Sequence, residues 1–155
     1  MSNPVSLDVV HEVRDACLCL ATQRAARTLA RRFDRAFQPL GLTNGQFSLM
    51  MPLNVPEPMK LGRLAALLAM DRTTLTAALK SLERRGLVEV SPDKDDHRAR
   101  RLSLTQAGRE TLVAAIPIWR AEHAALEAEL SKPNADRLRE LLPFIRPAKR
   151  GGGED

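Results

Sequence analysis

Residues 59–105 constrain this chain more than any other stretch, reading MKLGRLAALLAM, then DRTTLTAALKSLERRGLVEV, then SPDKDDHRARRLSLT. Leu61, Leu64, Ala65 and Leu68 recur at helical spacing, and so do Leu75, Ala78, Leu79 and Leu82. Two helices are therefore expected, joined by Ala69-Met70-Asp71, a turn short enough for a helix-turn-helix corner. Asp71 is placed to cap the second helix, because its carboxylate can accept from the free N–H groups of the first turn. Gly86 follows the last turn, where a left-handed residue closes a helix most cheaply.

Beyond Gly86 the pattern changes to a period of two. Val88 and Val90 alternate with Glu89 and Ser91, and Leu102 and Leu104 with Arg101 and Ser103. That alternation predicts a half-buried hairpin, with turn-forming residues 92–98 at its tip. The expected fold is mainly α, a winged helix-turn-helix with a two-stranded wing and a helical dimerisation region drawn from both termini. One domain is expected over 1–155. Residues 43–105 form the winged lobe, 7–40 and 106–146 the helical region, and 147–155 a flexible tail.

The exposed face of the second helix carries Arg72, Thr73, Thr74, Thr76 and Lys80. Arg can read guanine in a major groove, and Thr can reach bases or phosphates. Such a face is more often merely solvated, but here it sits between a helix-turn-helix corner and a ribbon. Lys94, Arg98 and Arg100 place positive charge on the ribbon, suited to phosphate or minor-groove contact. Of the nearby carboxylates, Asp96 is expected to orient Arg98 through a bidentate pair.

At these residues the chain resembles the multiple-antibiotic-resistance regulator (MarR) family. The resemblance rests on Leu64-Ala65, on residues 72–76, on Leu82-Glu83-Arg84-Arg85-Gly86-Leu87-Val88, on Asp96-His97-Arg98 and on Leu104-Thr105-Gln106-Ala107-Gly108. The Asp-x-Arg pattern followed by Leu-Thr-x-x-Gly is its most specific piece. It implies a homodimer that represses promoters at palindromic double-stranded DNA and often responds to a small phenolic or lipophilic acid, or to oxidants.

Composition agrees with a polyanionic partner. The net charge is +5 and the isoelectric point 9.9. Tyr is absent, and Phe33, Phe37, Phe47, Trp119 and Phe144 all lie outside the basic winged segment. A single-strand binder would stack bases on aromatics, so duplex DNA is favoured. Two cysteines fit a reducing cytoplasm, and no stretch is long and apolar enough to span a bilayer. No membrane partner, metal or cofactor is expected. A catalytic role finds no support either, since His11, His97 and His123 lie on separate elements and no nucleophile elbow or phosphate loop occurs.

Outside the winged segment, residues 7–37 predict one long helix with a basic later half, Arg24, Arg27, Arg31, Arg32 and Arg35, read as a solvated face. Thr43 and Gln46 form a capping box, and Lys60 leaves the next helix poorly capped. Thr105 caps a helix whose stripe, Leu112, Ile116, Trp119, His123, Leu126 and Leu130, is interrupted at Pro117, where a kink is expected. Residues 131–134 break that helix, and a last one from about residue 135 presents Leu138, Leu141, Leu142 and Ile145.

By the resemblance, an effector would lie among His11, Arg14, Cys17, Phe47, Met51 and Trp119, with Arg14 facing its carboxylate. Packed core is the competing role for each. Cys19 matches in position the reactive cysteine of the organic-hydroperoxide branch, which flanks its thiol with tyrosines that this chain lacks. Peroxide sensing through Cys19 is the alternative to a ligand. A protein-interaction adaptor using the same basic faces is the alternative to DNA binding.

Overall fold

The computed structural model describes residues 4–146. The tail expected at 147–155 lies outside them. The described chain contains seven α-helices and one small antiparallel sheet.

The expected long first helix is two helices. α1 spans Leu7–Ala16 and α2 spans Leu18–Phe37. Cys17 breaks them by turning extended, with ψ 105°, and its Sγ accepts from the Leu20 N–H at 3.4 Å as the N-cap of α2. No residue of α1 is buried. α2 ends in a 3-10 turn, Gln38–Leu40, closed by Gly41 at φ +62°.

α3 (Asn44–Met50) starts at the expected capping box: Thr43 Oγ1 accepts from the Gln46 N–H, and Gln46 Oε1 accepts from the Thr43 N–H, each at 3.1 Å. Its C-terminal end tightens to a 3-10 turn at Pro52, because proline cannot donate the next helical bond. Phe47 stacks on Phe37 with ring centres 4.7 Å apart. Phe37, Met50, Leu53, Leu64, Leu75, Leu82 and Leu102 form the fully buried centre of the core, each aliphatic or aromatic side chain contributing about 1.5–3 kcal/mol through burial.

The helix-turn-helix consists of α4 (Leu61–Leu67) and α5 (Arg72–Arg84). β2 (Val88–Pro92) and β3 (Arg100–Leu104) pair antiparallel, with Val88 opposite Leu104 and Val90 opposite Leu102. The wing is the expected two-stranded pair, and a third strand, not expected, joins its sheet. β1 (Met59–Lys60) pairs with β3, Met59 opposite Leu102 and Lys60 opposite Arg101. Two residues are too few to show a period in sequence. They also supply the entry to α4 that the uncapped Lys60 does not.

Thr105 ties the wing to α6 (Gln106–Leu130). Its hydroxyl donates to Gly86 O at 2.6 Å and accepts from the Gly108 N–H at 3.0 Å, while its own N–H donates to Leu87 O at 3.1 Å. A Cβ on Gly108 would lie 2.1 Å from Leu87 O. That close approach explains why glycine follows Leu-Thr at this spacing. α6 runs through Pro117 without a break. It ends at Ser131, φ +67°, where Asn134 Nδ2 donates to Leu130 O at 2.9 Å. α7 (Lys132–Leu141) starts earlier than residue 135 and buries only Ala135. Arg32 joins α2 to α6 through Glu122 and Glu129, and Arg139 joins α7 to α6 through Glu127 at 2.6 Å. Among the described residues no helix is long and apolar enough to cross a membrane.

Candidate DNA interface

α5 begins at a fully used cap. Asp71 Oδ1 accepts from the Thr74 N–H at 2.8 Å and Oδ2 from the Thr74 hydroxyl at 2.7 Å. The two bonds hold the Asp71 carboxyl below its ordinary range, the hydroxyl contributing most. Thr74 is thereby engaged at the cap. Arg72, Thr73, Thr76 and Lys80 remain exposed while Leu75, Leu79 and Leu82 are buried beneath them. The Thr76 hydroxyl donates to Arg72 O at 2.7 Å, leaving its oxygen lone pairs outward as acceptors.

A groove joins the start of α5 to the wing. Lys60, Arg63, Arg72, Arg98 and Arg100 line it, with Asp96 as the carboxylate among them. On the other flank of α5, Thr76, Lys80 and Arg100 share a second groove with Glu83. Arg100 lines both, so the two grooves bring most of the expected DNA set together. Lys60 and Arg63 are additions that only the pairing of β1 with β3 reveals. Lys94 lies apart, lining a hollow with Glu57 and Arg101. Arg72 lies over Gly62, where a Cβ would stand 2.9 Å from Arg72 Nη2.

The wing is held by a different carboxylate from the one expected. Asp96 touches Arg98 through the backbone N–H, at 3.0 Å, and not through the guanidinium. Asp93, 1% exposed, is the carboxylate that holds an arginine: Oδ2 lies 3.2 Å from Arg101 Nε and 3.5 Å from Lys60 Nζ, and Oδ1 accepts from the Asp95 N–H at 3.1 Å. The Asp95 N–H, then Arg101 and Lys60, hold the Asp93 carboxyl below the usual carboxylate range against the opposing effect of burial. Arg101 Nη1 also donates to Pro58 O at 2.9 Å. One carboxylate thus ties β1, β3 and the wing tip together.

The residues expected at an effector site fall on α1, its junction with α2, α3 with the turn that follows it, and α6. His11 and Arg14 are exposed on α1, and Arg14 is engaged by Asp15 at 2.6 and 2.7 Å. Phe47 is in the core, Met51 is exposed at its edge, and half-buried Trp119 packs on His123 at 4.8 Å. Cys17 serves as a helix cap, and the exposed Cys19 Sγ accepts from Gln23 Nε2 at 3.0 Å. Glu122 and Glu127 are committed to Arg32 and Arg139, and no cluster suited to a metal occurs among the described residues.

Comparison with known proteins gives the family. Residues 42–99 match the MarR family. The transcriptional activatory protein BadR of Rhodopseudomonas palustris is 33% identical over 132 residues, 82% of this chain and 75% of its own length. The M. tuberculosis regulator MosR in complex with DNA superposes with a TM-score of 0.76 at 38% identity, covering 83% of this chain and 92% of that one. The repressor CouR bound to a 23-mer DNA duplex superposes with a TM-score of 0.76 at 30% identity, covering 86% and 94%. CouR is also known bound to p-coumaroyl-CoA. With this fold, this wing and these relatives, the chain belongs to the MarR family of DNA-binding transcriptional regulators.

Proposed function

We propose that this protein is a homodimeric repressor that reads a palindromic duplex with α5, clamps phosphates with the wing, and is released by a small lipophilic or aromatic acid. The observation that carries the reading is the groove of Lys60, Arg63, Arg72, Arg98 and Arg100, which places five cations from β1, α4, α5 and the wing on one surface. CouR and MosR bound to DNA support it. A dimer is supported by α1, which buries nothing within its own chain, and by Leu138 and Leu141 of α7 and Leu142 just after it, which are exposed. The repressor CouR bound to its duplex supports repression as the outcome. CouR bound to p-coumaroyl-CoA supports a lipophilic acid or its thioester as the releasing ligand.

Footprinting the DNA beside the protein's own gene identifies the operator. Anisotropy titrations on that duplex and a scrambled one, across a salt series, then test the reading. Specific binding is expected to exceed non-specific binding by at least about 10³, with steep salt dependence. Equal affinity for both duplexes, or no binding to either, would leave the adaptor role in its place. A promoter reporter fixes the sign of regulation.

A further inference from the structure

The end of α5 carries two adjacent arginines, and their surroundings differ. Arg84 stays on the solvent side of the helix, near Lys80. Arg85 is turned about 140° from Lys80 at 100° per residue, and its guanidinium reaches back to the end of α2. Nη1 donates to Gly41 O at 2.7 Å and to Gln46 Oε1 at 3.2 Å, and Nη2 donates to Leu40 O at 3.4 Å. The two carbonyls belong to the last residue of the 3-10 turn that ends α2 and to the Gly41 that closes it, where a helix leaves its own acceptors unpaired. Gln46 completes the link, since its Nε2 lies 3.5 Å from Ser81 Oγ on α5 while its Oε1 caps α3.

We propose that Arg85 is a positioning residue: it fixes the tilt of α5 against α2, and so sets the half-site spacing that the dimer accepts on DNA. This rests on the homodimeric DNA-binding reading above. α2 belongs to the helical region, tied to α6 by Arg32, whereas α5 carries the reading face. Apolar packing between these parts is non-directional. A planar guanidinium shared by two carbonyls and an amide oxygen is directional. It also acts at the far end of a lever. α5 is about 20 Å long, so a tilt of about 10° at Arg85 moves the Arg72 end by about 3 Å, close to the rise of one base pair.

The test compares wild type, Arg85→Gln and Arg85→Lys on the footprinted operator and on versions with one base pair added or removed between half-sites. Wild type is expected to lose about thirtyfold or more in affinity on the altered spacings. Arg85→Gln should lose affinity on the native spacing but discriminate by less than about threefold. Arg85→Lys, which can keep one carbonyl bond, should fall between them. The salt slope should not change, because Arg85 touches no phosphate. Thermal melts confirm that each variant is folded. Retained spacing discrimination in Arg85→Gln overturns the proposal, as does a loss of affinity equal at all spacings or a salt slope lowered by about one. A wild type indifferent to spacing would overturn the homodimeric reading itself, and the proposal with it.

Discussion

Asp93 Oδ2 stands 3.2 Å from Arg101 Nε, and this buried carboxylate joins the wing tip to the strand that leads into α4. Asp93→Asn keeps the volume but removes the charge that Arg101 and Lys60 face. The wing base should loosen and affinity should fall by about tenfold on every duplex, since phosphate contacts position without reading sequence. Base preference measured by competition should stay as in wild type. The pH sign follows from the lowered carboxyl pKa. A depressed carboxylate contributes stability that is fully present above the pKa of the unfolded group, about 4, and is lost as pH falls through the folded value. Stability should therefore be flat at neutral pH and fall only in acid, and that acid-side fall should be smaller in Asp93→Asn, with Asp71, Glu129 and Asp136 supplying the remainder. Thermal melts across pH check both.

Arg72 and Thr76 stand exposed on the first turns of α5, and Arg72 rests against Gly62. Arg72→Ala and Thr76→Ala should each cost about 1–3 kcal/mol of specific affinity and relax base preference. Gly62→Ala offers a subtler probe. It should leave folding intact, because alanine favours helix and the obstructing group is the end of a flexible side chain. It should still displace Arg72 and weaken operator binding more than scrambled-DNA binding. Equal losses on all sequences would show that Arg72 only touches phosphate.

Arg98 lines the basic groove at the wing. Arg98→Ala should weaken binding to all duplexes and flatten the salt slope by about one unit. Asp96→Ala should give a milder version, since Asp96 shapes the backbone at Arg98 through the N–H. An unchanged slope in Arg98→Ala would take the wing tip off the contact surface.

Leu141 is 54% exposed and Leu142 50%, so neither holds the isolated chain together. Leu141→Asp with Leu142→Asp should leave the fold unchanged but place charges in an apolar interface, at a cost of several kcal/mol. Sedimentation at micromolar concentration should show a wild-type dimer and a folded monomeric variant. Operator affinity should fall with dimerisation, because two recognition helices about 34 Å apart no longer act as one.

How much of this was legible in sequence depended on how local each signal was. The caps at Thr43, Asp71 and Thr105 and the closing Gly86 could be read directly, because a cap is made within three or four residues. The break at Cys17 could not, because no Gly or Pro marks it and a thiol stands in for a capping hydroxyl. Three aspartates lie within residues 93–96, and composition cannot choose among them. The choice of Asp93 over Asp96 depends on a guanidinium arriving from β3, eight residues on, and a lysine from β1. Arg85 was hidden for the same reason, its partners lying about forty residues upstream.

The release mechanism separates two chemistries. Cys17 caps α2, and the neighbour that Cys19 Sγ meets is the Gln23 amide at 3.0 Å. Neither of these contacts is with a cation. A ligand, in contrast, needs only to prefer the non-binding arrangement of the two lobes by a few kcal/mol. The double variant Cys17→Ser, Cys19→Ser is a clean probe, because a serine hydroxyl accepts the Leu20 N–H at an N-cap as well as sulfur does. In operator gel shifts, p-coumaroyl-CoA and a panel of aromatic acids and their thioesters should contain a compound that releases wild type and the double variant alike. Cumene hydroperoxide should release neither. If the hydroperoxide frees wild type from DNA but not the double variant, sensing is by thiol oxidation and the ligand reading is wrong.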